Sequence, residues 1–135
     1  MTTELFYLLF VALLTAVLWI PVVIGYVSSR GFLKPIDYKV APTSPLPDWV
    51  NRANRAHMNA VENLASFATV VLIARLVGVS TPVTEMSAAV FFYARAAHAV
   101  IHISGFSMFK ARTMAFTVSW IAFMTFAIEL LRHVI

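Results

Sequence analysis

The sequence contains no cysteine. That excludes disulfides, thiolate metal sites and a cysteine nucleophile within the chain, so any thiol chemistry must use a sulfur that the substrate brings. Charge is also scarce. Asp, Glu, Lys and Arg make up 12% of the 135 residues, about half the usual share in a soluble domain. Between Leu5 and Ser29 there is none at all. Apolar residues fill the space instead: 61% of the chain is hydrophobic and the mean hydropathy is +0.84. A chain this short cannot hide that much apolar surface in its own core, and an apolar run past about 18 residues reads as a membrane span. The bilayer is therefore the solvent, which excludes a cytosolic enzyme, a secreted domain and a disordered tail. Ten basic against six acidic residues give a net charge of +4 and a pI of about 9.9. The basic residues gather at the ends of the apolar runs, as the positive-inside rule expects, so no nucleic-acid partner is implied.

Four apolar runs predict an all-α, integral membrane four-helix bundle, one transmembrane domain over residues 1–135 without internal repeats. The first span, at about residues 4–28, follows Met1-Thr2-Thr3-Glu4. That stretch lacks the basic n-region of a signal peptide and no small-residue cleavage site follows, so the span is expected to stay as an anchor. Pro21 frees the carbonyl of Val17 and predicts a kink. Residues 30–48 hold Lys34, Lys39 and four prolines and read as an extended polar loop. Asp48 is the expected N-cap of the second span, at about 49–77, with Gly78 as its left-handed terminator. Thr81-Pro82 opens the third, at about 82–104, and Gly105 ends it. The fourth lies at about 112–133. Arg30, Lys34, Lys39, Arg52, Arg55, Lys110 and Arg112 flank one face, against Arg75 and Arg132 on the other. This imbalance puts the first and third loops in the cytoplasm and both termini outside it.

The second span opens with more ionisable groups than a lipid-facing helix tolerates. At about 100° per residue, Arg52, Arg55, Asn59 and Glu62 fall inside an arc of about 80°, one polar stripe, while His57 lies off it and reads as structural. The third span carries a second stripe of Arg95, His98 and His102. Ionisable groups at membrane depth are costly and face a bundle interior or a wet cavity, which makes both stripes candidate site walls. Glu62, about 18 Å from the cytoplasmic end, and Arg95, about 15 Å, are expected to meet as a buried ion pair. A purely structural pair needs one charge of each sign, yet Arg30, Arg52, Arg55, Lys110 and Arg112 remain as surplus cations near the same end. Together with an amide and one carboxylate they suit an anionic ligand bearing carboxylates and an amine. His98 and His102 also have a spacing compatible with metal ligation. The absence of an HExxH pattern and of cysteine, the few acids and the adjacent Arg95 count against it, so no metal or haem is expected. The eleven Phe and six Met read as packing and lipid-facing surface.

The pattern Arg52-x-x-Arg55-Ala56-His57-x-Asn59-x-x-Glu62, then Arg95-x-x-His98 and later Arg112-Thr113-x-Ala115-Phe116, resembles the MAPEG family, the membrane-associated proteins in eicosanoid and glutathione metabolism. The order and spacing of the spans extend the resemblance to nearly the whole chain, closest to small bacterial members. It implies a homotrimer of four-helix subunits in a bacterial inner membrane, binding glutathione between subunits near the cytoplasmic side. By position, Arg55 and Asn59 would hold the tripeptide's carboxylates, Glu62 its amine, and Arg52 would add positive field. Arg30 would reach in from the adjacent subunit, and Arg95 and His98 would line the same cavity. His102 stands where the family often has a tyrosine, and the loop before Arg112 is about two residues longer than in close relatives, so either Arg112 or Lys110 reaches the thiol, with Arg112 the first candidate.

The implied chemistry is a glutathione-dependent transferase or peroxidase. A thiol of pKa near 8.5 is only about 3% thiolate at pH 7, and a nearby guanidinium raises that fraction about tenfold for each unit it removes. The thiolate would attack a hydrophobic electrophile or lipid, or reduce a hydroperoxide, arriving from the bilayer. The alternative is a non-catalytic lipid-binding or accessory membrane subunit of the same fold, like the family's 5-lipoxygenase-activating type.

Overall fold

The uncharged N-terminal run folds as two consecutive helices, α1 (Thr3–Val17) and α2 (Trp19–Arg30), in a computed structural model that covers residues 1–135. Thr2 caps α1, its hydroxyl accepting from the Leu5 amide at 3.4 Å. The interruption falls at Leu18, within the turn whose Val17 carbonyl Pro21 cannot serve because it has no N–H. Gly31, at φ 77°, ends α2. The proline-rich loop that follows contains one short 3₁₀ turn, Pro35–Tyr38, where the Lys34 amide donates to Asp37 Oδ2 at 2.7 Å.

Helix α3 runs Asp48–Val77. Asp48 is its first residue and not its cap: Pro47 holds the N-cap position and offers no side-chain acceptor. An acidic residue in the first turn still meets the positive end of the helix dipole. Gly78, in the left-handed region at φ 76°, terminates α3. Helix α4 (Pro82–Ser104) opens with the Thr81 hydroxyl accepting from the Thr84 amide at 3.2 Å, and Gly105 closes it. Helix α5 spans Ala111–Val134. Four stretches, with α1 and α2 taken together, are long and apolar enough to cross a membrane.

Small residues let these helices approach. On α3, Val50, Ala53, Ala56 and Ala60 are buried at intervals of three or four, a single helical face. A Cβ at Gly25 would sit 2.5 Å from Val50 Cγ2, so only glycine permits that contact between α2 and α3. The main core stacks Phe67 on Phe91, ring centroids 4.0 Å apart, with Phe126 edge-on at 6.3 Å. Val11, Val71, Ala88, Ala122 and Leu130 complete it. Large apolar side chains such as Trp19, Ile24, Leu76 and Trp120 point outward, as a bilayer requires. The chain crosses four times, so the loops 31–47 and 105–110 share one end of the bundle. Both termini and the 78–81 turn share the other.

Candidate functional site

At about 45 Å for its 30 residues, α3 outruns the ~30 Å hydrocarbon core. Its first turns therefore carry polar groups beyond or at the edge of the slab, at the loop end. The most buried residue of the two stripes is Arg95 on α4, which is 3% exposed. Its Nη2 donates to the Asn59 carbonyl at 3.1 Å and also to Asn59 Oδ1. Guanidinium has no acceptor, so the atom facing it is the amide oxygen, which leaves the two amide N–H donors for other partners. The Arg95 Cζ also lies 5.9 Å from the Phe116 ring centroid.

The expected ion pair between Glu62 and Arg95 does not form. Glu62 is exposed and has no ion-pair partner. Axial depth set the two at similar heights, but azimuth decides contact: Glu62 lies about 60° round the helix from Asn59 and about 4.5 Å further along it. That turns the carboxylate to the wall of an open cavity.

Two adjoining cavities occupy this end. One, about 510 Å³, is walled by Arg55, Met58, Asn59 and Glu62 of α3, His98 and His102 of α4, and Arg112, Thr113 and Phe116 of α5. The other, about 380 Å³, is walled by Arg52 and Arg55, by His102 and the Gly105–Ser107 turn, and by Lys110, Arg112 and Thr113. Arg55, His102, Arg112 and Thr113 line both. Lys110 lines only the smaller one.

Local conformation sets these positions. Arg52 Nε donates to the Ile103 carbonyl at 3.1 Å, placing a cation at the negative end of the α4 dipole. Gly105 sits at φ 76°, a conformation that selects glycine, and a Cβ there would press on Arg52 Cζ at 3.1 Å. Phe109 and Lys110 are consecutive left-handed residues, at φ 55° and 51°, and they swing the chain sharply into α5 so that Arg112 falls in its first turn. The Arg112 Nη1 lies 3.5 Å from His102 Nε2. The His98 and His102 rings meet edge to face, centroids 5.6 Å apart, and no group of three or more His, Asp or Glu is placed to hold a metal ion. None of Arg52, Arg55, Lys110 and Arg112 has an ion-pair partner. The only carboxylate in either wall is Glu62.

Arg30 does not join this set within its own chain. It donates to the Ser44 carbonyl, its guanidinium lies 5.5 Å from the Tyr26 centroid, and it lines a separate cavity of about 550 Å³ between α2 and the 31–47 loop. His57 is half-buried, Nδ1 lying 3.2 Å from the Thr15 carbonyl. Met58, Thr113 and Phe116 are wall residues that the stripes did not include. Phe116 was within reach of sequence reasoning, since four residues beyond Arg112 it shares its helical face. A sequence model of the MAPEG family matches residues 5–132. No curated protein matches the chain.

Proposed function

The chain belongs to the MAPEG family, and from that premise, for this multi-pass membrane protein, we propose a glutathione-dependent transferase or peroxidase of hydrophobic substrates, working as a homotrimer. One observation carries the reading. Four cations without ion-pair partners, one carboxylate and one amide with free donors surround adjoining cavities. Glutathione presents the complement: two carboxylates, one ammonium and a thiol. Arg55 and the Asn59 amide hold carboxylates, Glu62 takes the ammonium, and Arg52 adds positive field. Arg95 fixes the Asn59 amide, and His98 and His102 line the wall behind the thiol. Arg30, remote within its own chain, serves the neighbouring subunit's site.

Arg112 is the cation for the thiol, because it alone of the two candidates lines both cavities. The thiol gives its proton to water in the open cavity and the guanidinium stabilises the thiolate. The sulfur lone pair then forms a bond to an electrophilic carbon of the apolar partner, and the leaving group departs with its electron pair. With a hydroperoxide, two glutathiones yield the disulfide, an alcohol and water. Lys110 is the runner-up for this role.

The 3.5 Å contact of Arg112 with His102 favours a second reading, a lipid-binding or accessory subunit in which that guanidinium turns to the imidazole and no thiol is activated. Isothermal titration of the detergent-solubilised protein with glutathione tests the first element common to the enzyme reading: saturable binding is expected, and none would overturn it. The loop end faces the cytoplasm in this reading, in a bacterial inner membrane. Tags on both termini should be accessible from the opposite side in sealed vesicles of known orientation, and protected tags would reverse the placement.

A further inference from the structure

The smaller of the two adjoining cavities, about 380 Å³, differs from the larger in charge. Arg52, Arg55, Lys110 and Arg112 stand in its wall and no acid does, whereas the larger cavity has Glu62. Helix α5 begins on the same wall with neither a side-chain cap nor an acid in its first turn, so nothing in the chain offsets that charge. Lys110 lines only this cavity. Arg52, once its Nε serves the Ile103 carbonyl, keeps its other donors. Ile101, Phe106 and Ala111 give the wall an apolar part.

Charge balance narrows what fits there. The four cations exceed Glu62 by three charges, and glutathione as its thiolate offsets two of them. The excess falls on the side of Lys110 and Arg52, and Arg30 from the neighbouring subunit, in that reading, enlarges it. A carboxylate brought beside a thiolate is repelled unless a cation lies on its far side. We propose, on the footing of the glutathione reading, that the electrophile is acidic. Its reactive carbon meets the sulfur at Arg112, on the wall common to both cavities, its body lies in the smaller cavity against Ile101 and Phe106, and its anionic group is held by Lys110 together with Arg52. The volume is at the lower end of small-molecule sites and gives room for a substituted ring or a short chain. The thiolate sulfur forms a bond to the reactive carbon and the leaving group departs with its electron pair, the thiol proton having passed to water.

The conjugates of an acidic and a neutral aryl chloride, S-(4-carboxy-2,6-dinitrophenyl)glutathione and S-(2,6-dinitrophenyl)glutathione, differ by that one carboxylate and report binding without turnover. Isothermal titration of the detergent-solubilised protein should find the carboxylated conjugate bound about fivefold more tightly. Lys110→Gln, at an exposed position, should bring the two affinities within about twofold of each other, and Lys110→Arg, which keeps the charge, should retain the preference. Equal affinity for the two conjugates in the parent would overturn the proposal and leave the glutathione reading standing. So would a preference that survives Lys110→Gln unchanged. Binding of neither conjugate would overturn both.

Discussion

At the termini end, Glu4 and Glu129 face hydroxyls from other segments: Ser80 and Thr84 for the first, Thr81 at 3.3 Å for the second. Arg132 and His133 lie 3.5 and 3.8 Å from the Glu129 carboxylate. At the loop end, Arg52, Arg55, Lys110 and Arg112 meet no carboxylate within ion-pair distance, and the one acid in the cavity walls is turned away from Arg95. The first arrangement ties α1, α4 and α5 together through hydroxyl–carboxylate and ion-pair contacts. The second leaves cations that no carboxylate neutralises, Arg52 held only by the Ile103 carbonyl. Because either kind of group is costly at membrane depth, the contrast separates polar residues kept for architecture from those kept for a ligand. Arg95 sits at the boundary, buried like the first set and holding Asn59 for the second.

The sharpest way to break this contrast is at Arg55, which has no hydrogen-bond or ion-pair partner in the chain. Arg55→Ala should weaken glutathione binding by about 2 kcal/mol, roughly 30-fold, as expected when a charged partner is removed. Unfolding stability should move by less than about 0.5 kcal/mol. Calorimetry with glutathione and SDS-titrated unfolding read the two quantities. Unchanged affinity with lost stability would make the loop end architectural like its opposite.

The reciprocal change is Thr84→Val, nearly isosteric at a fully buried position. It deletes the donor 2.6 Å from Glu4 Oε1 and the acceptor 2.9 Å from the Thr81 amide, and should cost about 1.5 kcal/mol of stability with glutathione affinity unaltered. A variant as stable as the parent would show that Ser80 alone suffices for the carboxylate.

Membrane class, span order and both stripes were legible because they depend on composition and on helical period, which local sequence carries. The Glu62–Arg95 pairing was not. Depth along the axis follows from counting residues, but the rotation of one helix against another depends on packing, here on the small-residue face of α3 and the close approach at Gly25. The termini cluster was hidden for a related reason: Glu4, the Ser80–Thr84 segment and Glu129 are far apart in the chain and singly unremarkable as helix-end residues. The role of Gly105 as a space for Arg52 likewise appears only when α3 and α4 are set side by side. Arg112 was already the first candidate over Lys110 on sequence grounds; that it lines both cavities and Lys110 only one was not legible, because it follows the left-handed pair Phe109 and Lys110, whose conformation nothing in their side chains announces.

That choice supplies the smallest and most specific test. If Arg112 stabilises the thiolate of bound glutathione, the bound thiol titrates below the free one, and the gain in thiolate is greatest at pH values under the free thiol's pKa. Changing Arg112 to Gln raises the apparent pKa again. Each unit restored costs about tenfold in thiolate at pH 7, or about 1.4 kcal/mol, and the deficit fades as pH rises through the variant's own pKa, where bulk ionisation provides the anion anyway. Turnover of the variant should therefore fall about tenfold at pH 7 and much less at pH 9, with thiolate absorbance against pH as the direct readout. Lys110→Gln removes one positive charge from the smaller cavity alone and should leave the curve in place. A parent curve like that of free glutathione would mean that no cation acts on the sulfur, which favours the lipid-presenting reading. A shift abolished by Lys110→Gln and kept in Arg112→Gln would retain the enzyme and move the role to the lysine, with the strained turn before α5 as the device that delivers it.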